Sequence, residues 1–70
     1  MELIKIFAER LRELRLEENL STKMLGEKIK VSDATISRWE NCLQTPTISQ
    51  IVKLAKYFNV TTDYLCGLED

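Results

Sequence analysis

The stretch TKMLGEKIKVSDATISRWEN, residues 22–41, restricts the fold more than any other part of the chain. Apolar residues recur at helical spacing on both sides of a connection made only of Lys30, Val31 and Ser32. The spacing therefore predicts a helix-turn-helix unit, with helices over about 22–29 and about 33–41. The apolar anchors that would hold the two helices at a fixed angle are Leu25, Ile29, Val31, Ile36 and Trp39.

Three further helices are predicted outside this unit, which makes the chain all-α. A T-x-x-Q capping box formed by Thr47 and Gln50 predicts a helix over about 48–58. Thr61 can cap a short fifth helix, and a first helix is predicted over about 3–18. The apolar side chains expected to face the core from these three helices are Leu3, Phe7, Leu11, Leu14, Ile48, Ile51, Val52, Leu54, Ala55, Phe58, Tyr64, Leu65 and Leu68. A chain of 70 residues suffices for one core, so residues 1–70 are predicted to form a single domain.

The residue content argues against an enzyme, a metal site and a membrane protein. There is no His, and Cys42 and Cys66 are isolated, so neither a zinc site nor a Cys–His catalytic pair is expected. Charged residues interrupt any apolar signal sequence in MELIKIFAER. No apolar run approaches the roughly 20 residues of a membrane span. We therefore expect a cytoplasmic binding module with two free thiols, no cofactor and no membrane contact.

The outer face of the second helix in the unit carries residue types that contact DNA. We expect Asp33, Ala34, Ser37, Arg38 and Asn41 to project into a major groove. Arg38 can pair with both O6 and N7 of guanine, and Ala34 can contact a thymine methyl group. Two interpretations of Asp33 stay open. Its carboxylate accepts a hydrogen bond from cytosine N4, or it stabilises the positive N-terminus of its own helix.

The sequence resembles the Cro/CI-type (XRE-like) helix-turn-helix repressors of phages and bacteria over nearly its whole length. The segments that carry the resemblance are RLRELRLEENLST, LGEKIKVSDATISRWEN and TPTISQIVKLAKYFNVTTDYLCG. The resemblance implies a compact five-helix, lambda-repressor-like domain with the helix-turn-helix at helices two and three. It also implies a sequence-specific transcriptional regulator, a repressor that binds a palindromic operator in double-stranded DNA as a homodimer.

The same resemblance implies roles for individual residues. Thr22 stands where the family usually has a Gln that contacts the DNA backbone, and Asn41 stands at a phosphate-contacting position. Arg15 and Glu40 match a pair that bridges helix one to helix three. The positions that read bases correspond to Ser32, Asp33, Ala34, Ser37 and Arg38. The region through which the family dimerises corresponds to Tyr57, Asn59, Thr61, Thr62 and Tyr64.

Several exposed positions have both a DNA-binding and an ordinary interpretation. The candidates for phosphate contacts are Lys23, Lys28, Lys30 and Arg12, each of which is equally an ordinary solvated charge. Leu43, an apolar residue in a polar loop, is a candidate for a partner surface. The chain also departs from the family pattern. Gly26 replaces an Ala, Lys30 replaces a Gly in the turn, and the loop Cys42 to Thr45 has no basic residue.

The charge of the chain leaves a second function open. The net charge is −1, yet residues 22–41 carry Lys23, Lys28, Lys30 and Arg38 against Glu27, Asp33 and Glu40. A weakly positive unit on an acidic chain predicts a DNA binder with little non-specific affinity that depends on dimerisation and direct readout. The alternative is a protein-interaction module on the same fold, such as an antitoxin or an antirepressor-controlled switch that binds a regulatory protein partner.

Overall fold

Five α-helices account for most of the chain in the computed structural model, which describes residues 3–69. Residues 1, 2 and 70 of the predicted domain lie outside this range. The helices are α1 (Leu3–Glu17), α2 (Thr22–Ile29), α3 (Asp33–Glu40), α4 (Ile48–Phe58) and α5 (Thr62–Leu65). There is no strand within the described range. The all-α prediction is confirmed, and α1 and α3 each end one residue earlier than predicted.

A hydroxyl side chain begins every helix from α2 onwards. The N-cap residues are Ser21, Ser32, Thr47 and Thr61. Each side-chain oxygen accepts a hydrogen bond from the backbone N–H three residues later, which has no partner within its own helix. At α4 the predicted capping box is complete, since the Gln50 side chain also accepts from the Thr47 N–H at 2.8 Å. These caps fix the helix starts where the sequence places them.

A residue with left-handed backbone geometry follows each of the five helices. In chain order these residues are Asn19, Lys30, Cys42, Asn59 and Gly67. Asn and Gly adopt this conformation readily, whereas Lys and Cys adopt it at a cost in free energy. Lys30 has φ 62° and ψ 48°, and its N–H donates to the Gly26 carbonyl. Two helix ends are therefore closed by residues that are poorly suited to the turn.

The core lies where α3 packs between α1 and α2. The fully buried side chains are Leu11, Leu25, Ile36, Trp39, Leu54 and Leu65. The Trp39 ring meets the Phe7 ring edge-on, with centroids 6.0 Å apart at 75°, which is a favourable arrangement for two aromatic rings. Trp39 is thus a core residue that anchors α3.

Four apolar residues predicted to face the core are exposed instead. Leu3, Ile48 and Leu68 expose 54%, 82% and 72% of their surface, and Val52 is also exposed. Leu3 and Ile48 begin their helices, so they lie at the edge of the domain. Leu68 follows the end of α5 at Leu65, so it no longer continues the apolar face of that helix. No helix within residues 3–69 has the length and apolar character required to cross a membrane.

Candidate nucleic-acid interface

The two faces of α3 have opposite surroundings. Ile36 and Trp39 are completely buried on the inner face. On the outer face Asp33, Ala34, Ser37 and Arg38 are exposed, as the helical period of 3.6 residues requires when the apolar positions face the core. A helix held by two buried side chains presents its outer residues in a fixed direction.

An ion pair fixes the C-terminal end of α3 to α1. The Arg15 guanidinium donates from Nε to Glu40 Oε2 at 2.7 Å and from Nη2 to Glu40 Oε1 at 2.8 Å. Its Nη1 donates to the Leu20 carbonyl at 2.8 Å. The hydrogen bond to Glu40 raises the pKa of Arg15 above its ordinary value. This bidentate pair stands at the two positions where the family resemblance implied a bridge, and its side chains are 12% and 7% exposed.

A second link joins the N-terminal ends of α2 and α3. Thr22 Oγ1 donates a hydrogen bond to Asp33 Oδ1 at 2.5 Å. Asp33 is also the acidic residue in the first turn of α3, where a negative charge is favourable. Both interpretations of Asp33 therefore keep a physical basis. One oxygen is held by α2 near the positive helix end, and the carboxylate as a whole stays exposed.

Two other predicted DNA contacts make hydrogen bonds within their own helix. Ser32 Oγ caps α3 by accepting from the Thr35 N–H at 3.1 Å, and it lies 2.8 Å from Thr35 Oγ1. Asn41 Nδ2 donates to the Ser37 carbonyl at 2.8 Å. Both residues are exposed. Their side chains are thus oriented by local structure before any partner arrives.

Arg38 differs from Arg15 in having no carboxylate beside it. The only ion pair within residues 3–69 is the one between Arg15 and Glu40. Arg38 is exposed in the last turn of α3. Its guanidinium is free to form a planar, bidentate contact with a partner.

The basic residues predicted to hold phosphates fall into two groups. Lys23 and Arg12 are exposed on α2 and α1. Lys28 and Lys30 instead line a cleft with Lys53, Lys56 and other residues at the far end of α2. Lys53 and Lys56 were not among the predicted contacts, although their spacing of three places them on one face of α4. Only the packing of α2 against α4 reveals that they join Lys28 and Lys30.

The residues proposed for a dimer surface lie in the loop after α3, at the end of α4 and in or next to α5. Leu43 is 76% exposed, and Thr62 is exposed at the first position of α5. Asn59 ends α4 and Thr61 caps α5, so both have local structural roles. The other two candidates contact neighbours. The Arg10 guanidinium lies over the Tyr64 ring at 4.4 Å, and Tyr57 lines the lysine cleft.

The departure at Gly26 has a steric reason. A Cβ atom at this position would lie 2.4 Å from the Val31 carbonyl oxygen. The turn backbone therefore occupies the space that a side chain would need. Gly26 permits a tighter turn than an Ala would, and Lys30 closes the same turn.

Comparison with known proteins places this geometry in a family. Residues 11–65 match the helix-turn-helix family. The chain is 28% identical to the P22 c2 repressor protein in a crystal structure of its complex with synthetic operator 9T. The two superpose with a TM-score of 0.85 over 91% of this chain and 97% of that one. The chain therefore belongs to the helix-turn-helix family of the Cro/CI type.

Two curated relatives are transcriptional regulators by name. The chain is 36% identical over 64 residues, 91% of its length, to the HTH-type transcriptional activator BcrR of Enterococcus faecalis. It is 32% identical over 65 residues, 93% of its length, to the uncharacterized HTH-type transcriptional regulator YobD of Bacillus subtilis (strain 168). The chain spans 31% of the length of the first relative and 58% of the second.

Proposed function

We propose that this chain is the DNA-binding domain of a sequence-specific transcriptional regulator. The observation that carries the proposal is the outer face of α3, where Arg38 and Ser37 are exposed opposite the fully buried Ile36 and Trp39. A rigid helix with a free guanidinium matches what major-groove readout requires. The structurally similar P22 c2 repressor protein was solved in complex with a synthetic operator, which supports DNA as the partner.

In this proposal, some residues read the bases and others contact the phosphates. Arg38 reads guanine, Ala34 and Ser37 allow close approach of the helix to the bases, and Asp33 accepts from cytosine while held by Thr22. Phosphates are contacted by residues around this face. These residues are Lys23, Asn41 and Arg12, together with the backbone N–H of Thr22 at the start of α2, because the Thr22 hydroxyl already donates to Asp33. Such contacts position the helix without carrying sequence information.

In this proposal, the regulator acts in the cytoplasm and binds a near-palindromic operator as a homodimer. Two half-sites would then lie about 34 Å apart, one turn of DNA. Occupancy of a promoter is the simplest means of repression. The names of the relatives support a regulator over the interaction-module alternative, and they include an activator.

Selection of bound duplexes from a random pool, followed by anisotropy titration, tests the proposal. We expect one sequence class to emerge, with two protomers per duplex and a binding constant that falls steeply with salt. The logarithmic slope should be about −0.9 for each phosphate neutralised. A matched random duplex is the control. If no duplex binds with a dissociation constant below about 10 µM at low salt, the proposal is refuted.

A further inference from the structure

Four lysines converge on one cleft between α2 and α4. The cleft has a volume of about 280 Å³ and is lined by Lys28, Ile29, Lys30, Lys53, Lys56 and Tyr57. These lysines are four of the ten basic residues in a chain of net charge −1. None of the lining residues is acidic. All four lysines are exposed, and a cleft lined by charges of one sign attracts ions of the opposite sign.

Charges of the protein itself offset only a part of this positive charge. The single ion pair within residues 3–69 is elsewhere, between Arg15 and Glu40, and α4 contains no acidic residue. Lys28 and Lys56 lie in the last turns of α2 and α4, where a cation is favourable. Each helix C-terminus contributes about half a negative charge, so the two helix ends together offset about one of the four positive charges.

The cleft is separate from the outer face of α3. Lys28 follows Thr22 by six positions on α2, which turns its side chain by about 120° and moves it about 9 Å along the helix axis. Thr22 faces Asp33 of α3, whereas Lys28 faces the lysines of α4. A DNA duplex seated on α3 would therefore approach a different side of α2.

We propose that this lysine cleft binds a small multivalent phosphate anion, independently of DNA bound at α3. Lysine binds phosphate as a point charge with three rotatable donors. Four such groups suit a ligand with several negative oxygens rather than a single carboxylate. Ile29 is 5% exposed and forms an apolar floor. The Tyr57 ring, which packs edge-on against Phe58 with centroids 5.0 Å apart, supplies an aromatic wall.

Inorganic pyrophosphate is the probe, titrated into the DNA-free chain at about 0.1 M salt to screen diffuse charge. Shifts of the backbone amide resonances of α2 and α4 give the site and the affinity. The test variant is Lys53→Gln/Lys56→Gln. The control is Lys5→Glu, which changes the net charge by the same two units at an exposed position outside both the cleft and the candidate DNA face.

We expect pyrophosphate to shift the resonances of residues around the cleft. Pyrophosphate should bind the test variant about tenfold more weakly than the unmodified chain, and it should bind the control with unchanged affinity. Equal weakening in both variants would mean diffuse attraction and would overturn the proposal, as would absence of shifts. The same variants are then titrated with duplex DNA. A loss of duplex affinity in the Lys53/Lys56 variant without pyrophosphate binding would assign the cleft to the DNA backbone instead. Because the first titration contains no DNA, its result is independent of the proposed function.

Discussion

The two ends of α2 illustrate how one helix can face two different surroundings. At its N-terminus Thr22 is hydrogen-bonded to Asp33, and α3 is held by buried apolar residues and the Arg15–Glu40 pair. At its C-terminus Lys28 and Lys30 enter a cleft with two lysines of α4. The first end is fixed by specific bonds, whereas the second concentrates charge. Lys30 and Asp33, only three positions apart in the sequence, therefore lie on different surfaces.

Loss of the Arg15–Glu40 bridge should have the largest effect on the fixed end. Glu40→Ala leaves the largely buried Arg15 without its carboxylate and with only the Leu20 carbonyl as a partner, so we expect the free energy of unfolding to fall by about 2 to 4 kcal/mol. Urea denaturation measures this change. Arg15→Met/Glu40→Leu is the control and should be less destabilising than Glu40→Ala. A loss below about 0.5 kcal/mol would show that the pair behaves as an exposed ion pair.

The tight turn after α2 should not tolerate a side chain at Gly26. Gly26→Ala places a Cβ against the Val31 carbonyl, and we expect a loss of about 1 to 3 kcal/mol although Ala favours helices. Thermal and urea unfolding measure it. Glu27→Ala, at the exposed neighbouring position, should change stability by less than about 0.5 kcal/mol. A stabilised Gly26→Ala variant would mean that the turn can relax.

The outer face of α3 should carry sequence preference, and the cleft should not. We expect Arg38→Ala to weaken binding to the selected operator by about 1 to 3 kcal/mol and to relax preference at one base pair. Anisotropy titrations on operator and random duplexes measure both quantities. Lys53→Ala, which removes a charge at the cleft, should leave the preference unchanged. Equal losses for Arg38→Ala on both duplexes would exclude a base contact.

The cost of the left-handed geometry at Lys30 should be small but measurable. Because Gly adopts φ 62° without a Cβ penalty, we expect Lys30→Gly to stabilise the domain by about 0.5 to 1 kcal/mol. Lys28→Gly is the control. Because Lys28 lies inside α2, glycine at this position should lower the free energy of unfolding by about 1 kcal/mol. Differential scanning calorimetry can compare the two variants. Destabilisation of both would mean that the Lys30 side chain contributes contacts that outweigh the strain.

Helix starts were the features best predicted from sequence. Ser21, Ser32, Thr47 and Thr61 begin the helices that they were expected to begin, because a cap depends on groups only three residues apart. Burial was predicted less well for Leu3, Ile48 and Leu68. Periodicity identifies an apolar face, but it cannot tell where a neighbouring helix stops covering it.

For the candidate DNA face, the sequence predicted which residues of α3 are exposed but not the contacts between helices. The period of α3 was enough to separate Ile36 and Trp39 from the exposed Ser37 and Arg38. The hydrogen bond from Thr22 to Asp33 was not predicted, because it depends on the angle between two helices. The steric need for Gly26 was not predicted either, since it depends on the path of the turn backbone.

The sequence by itself determined five helices, their caps and the apolar face of α3, since each of these depends on residues within a few positions of one another. Only the tertiary structure decided that Lys28 and Lys30 meet Lys53 and Lys56 in one cleft. It also decided that Glu40 of α3 faces Arg15 of α1. Contacts between residues 23 to 28 positions apart depend on how helices pack, and that packing is set by the core as a whole.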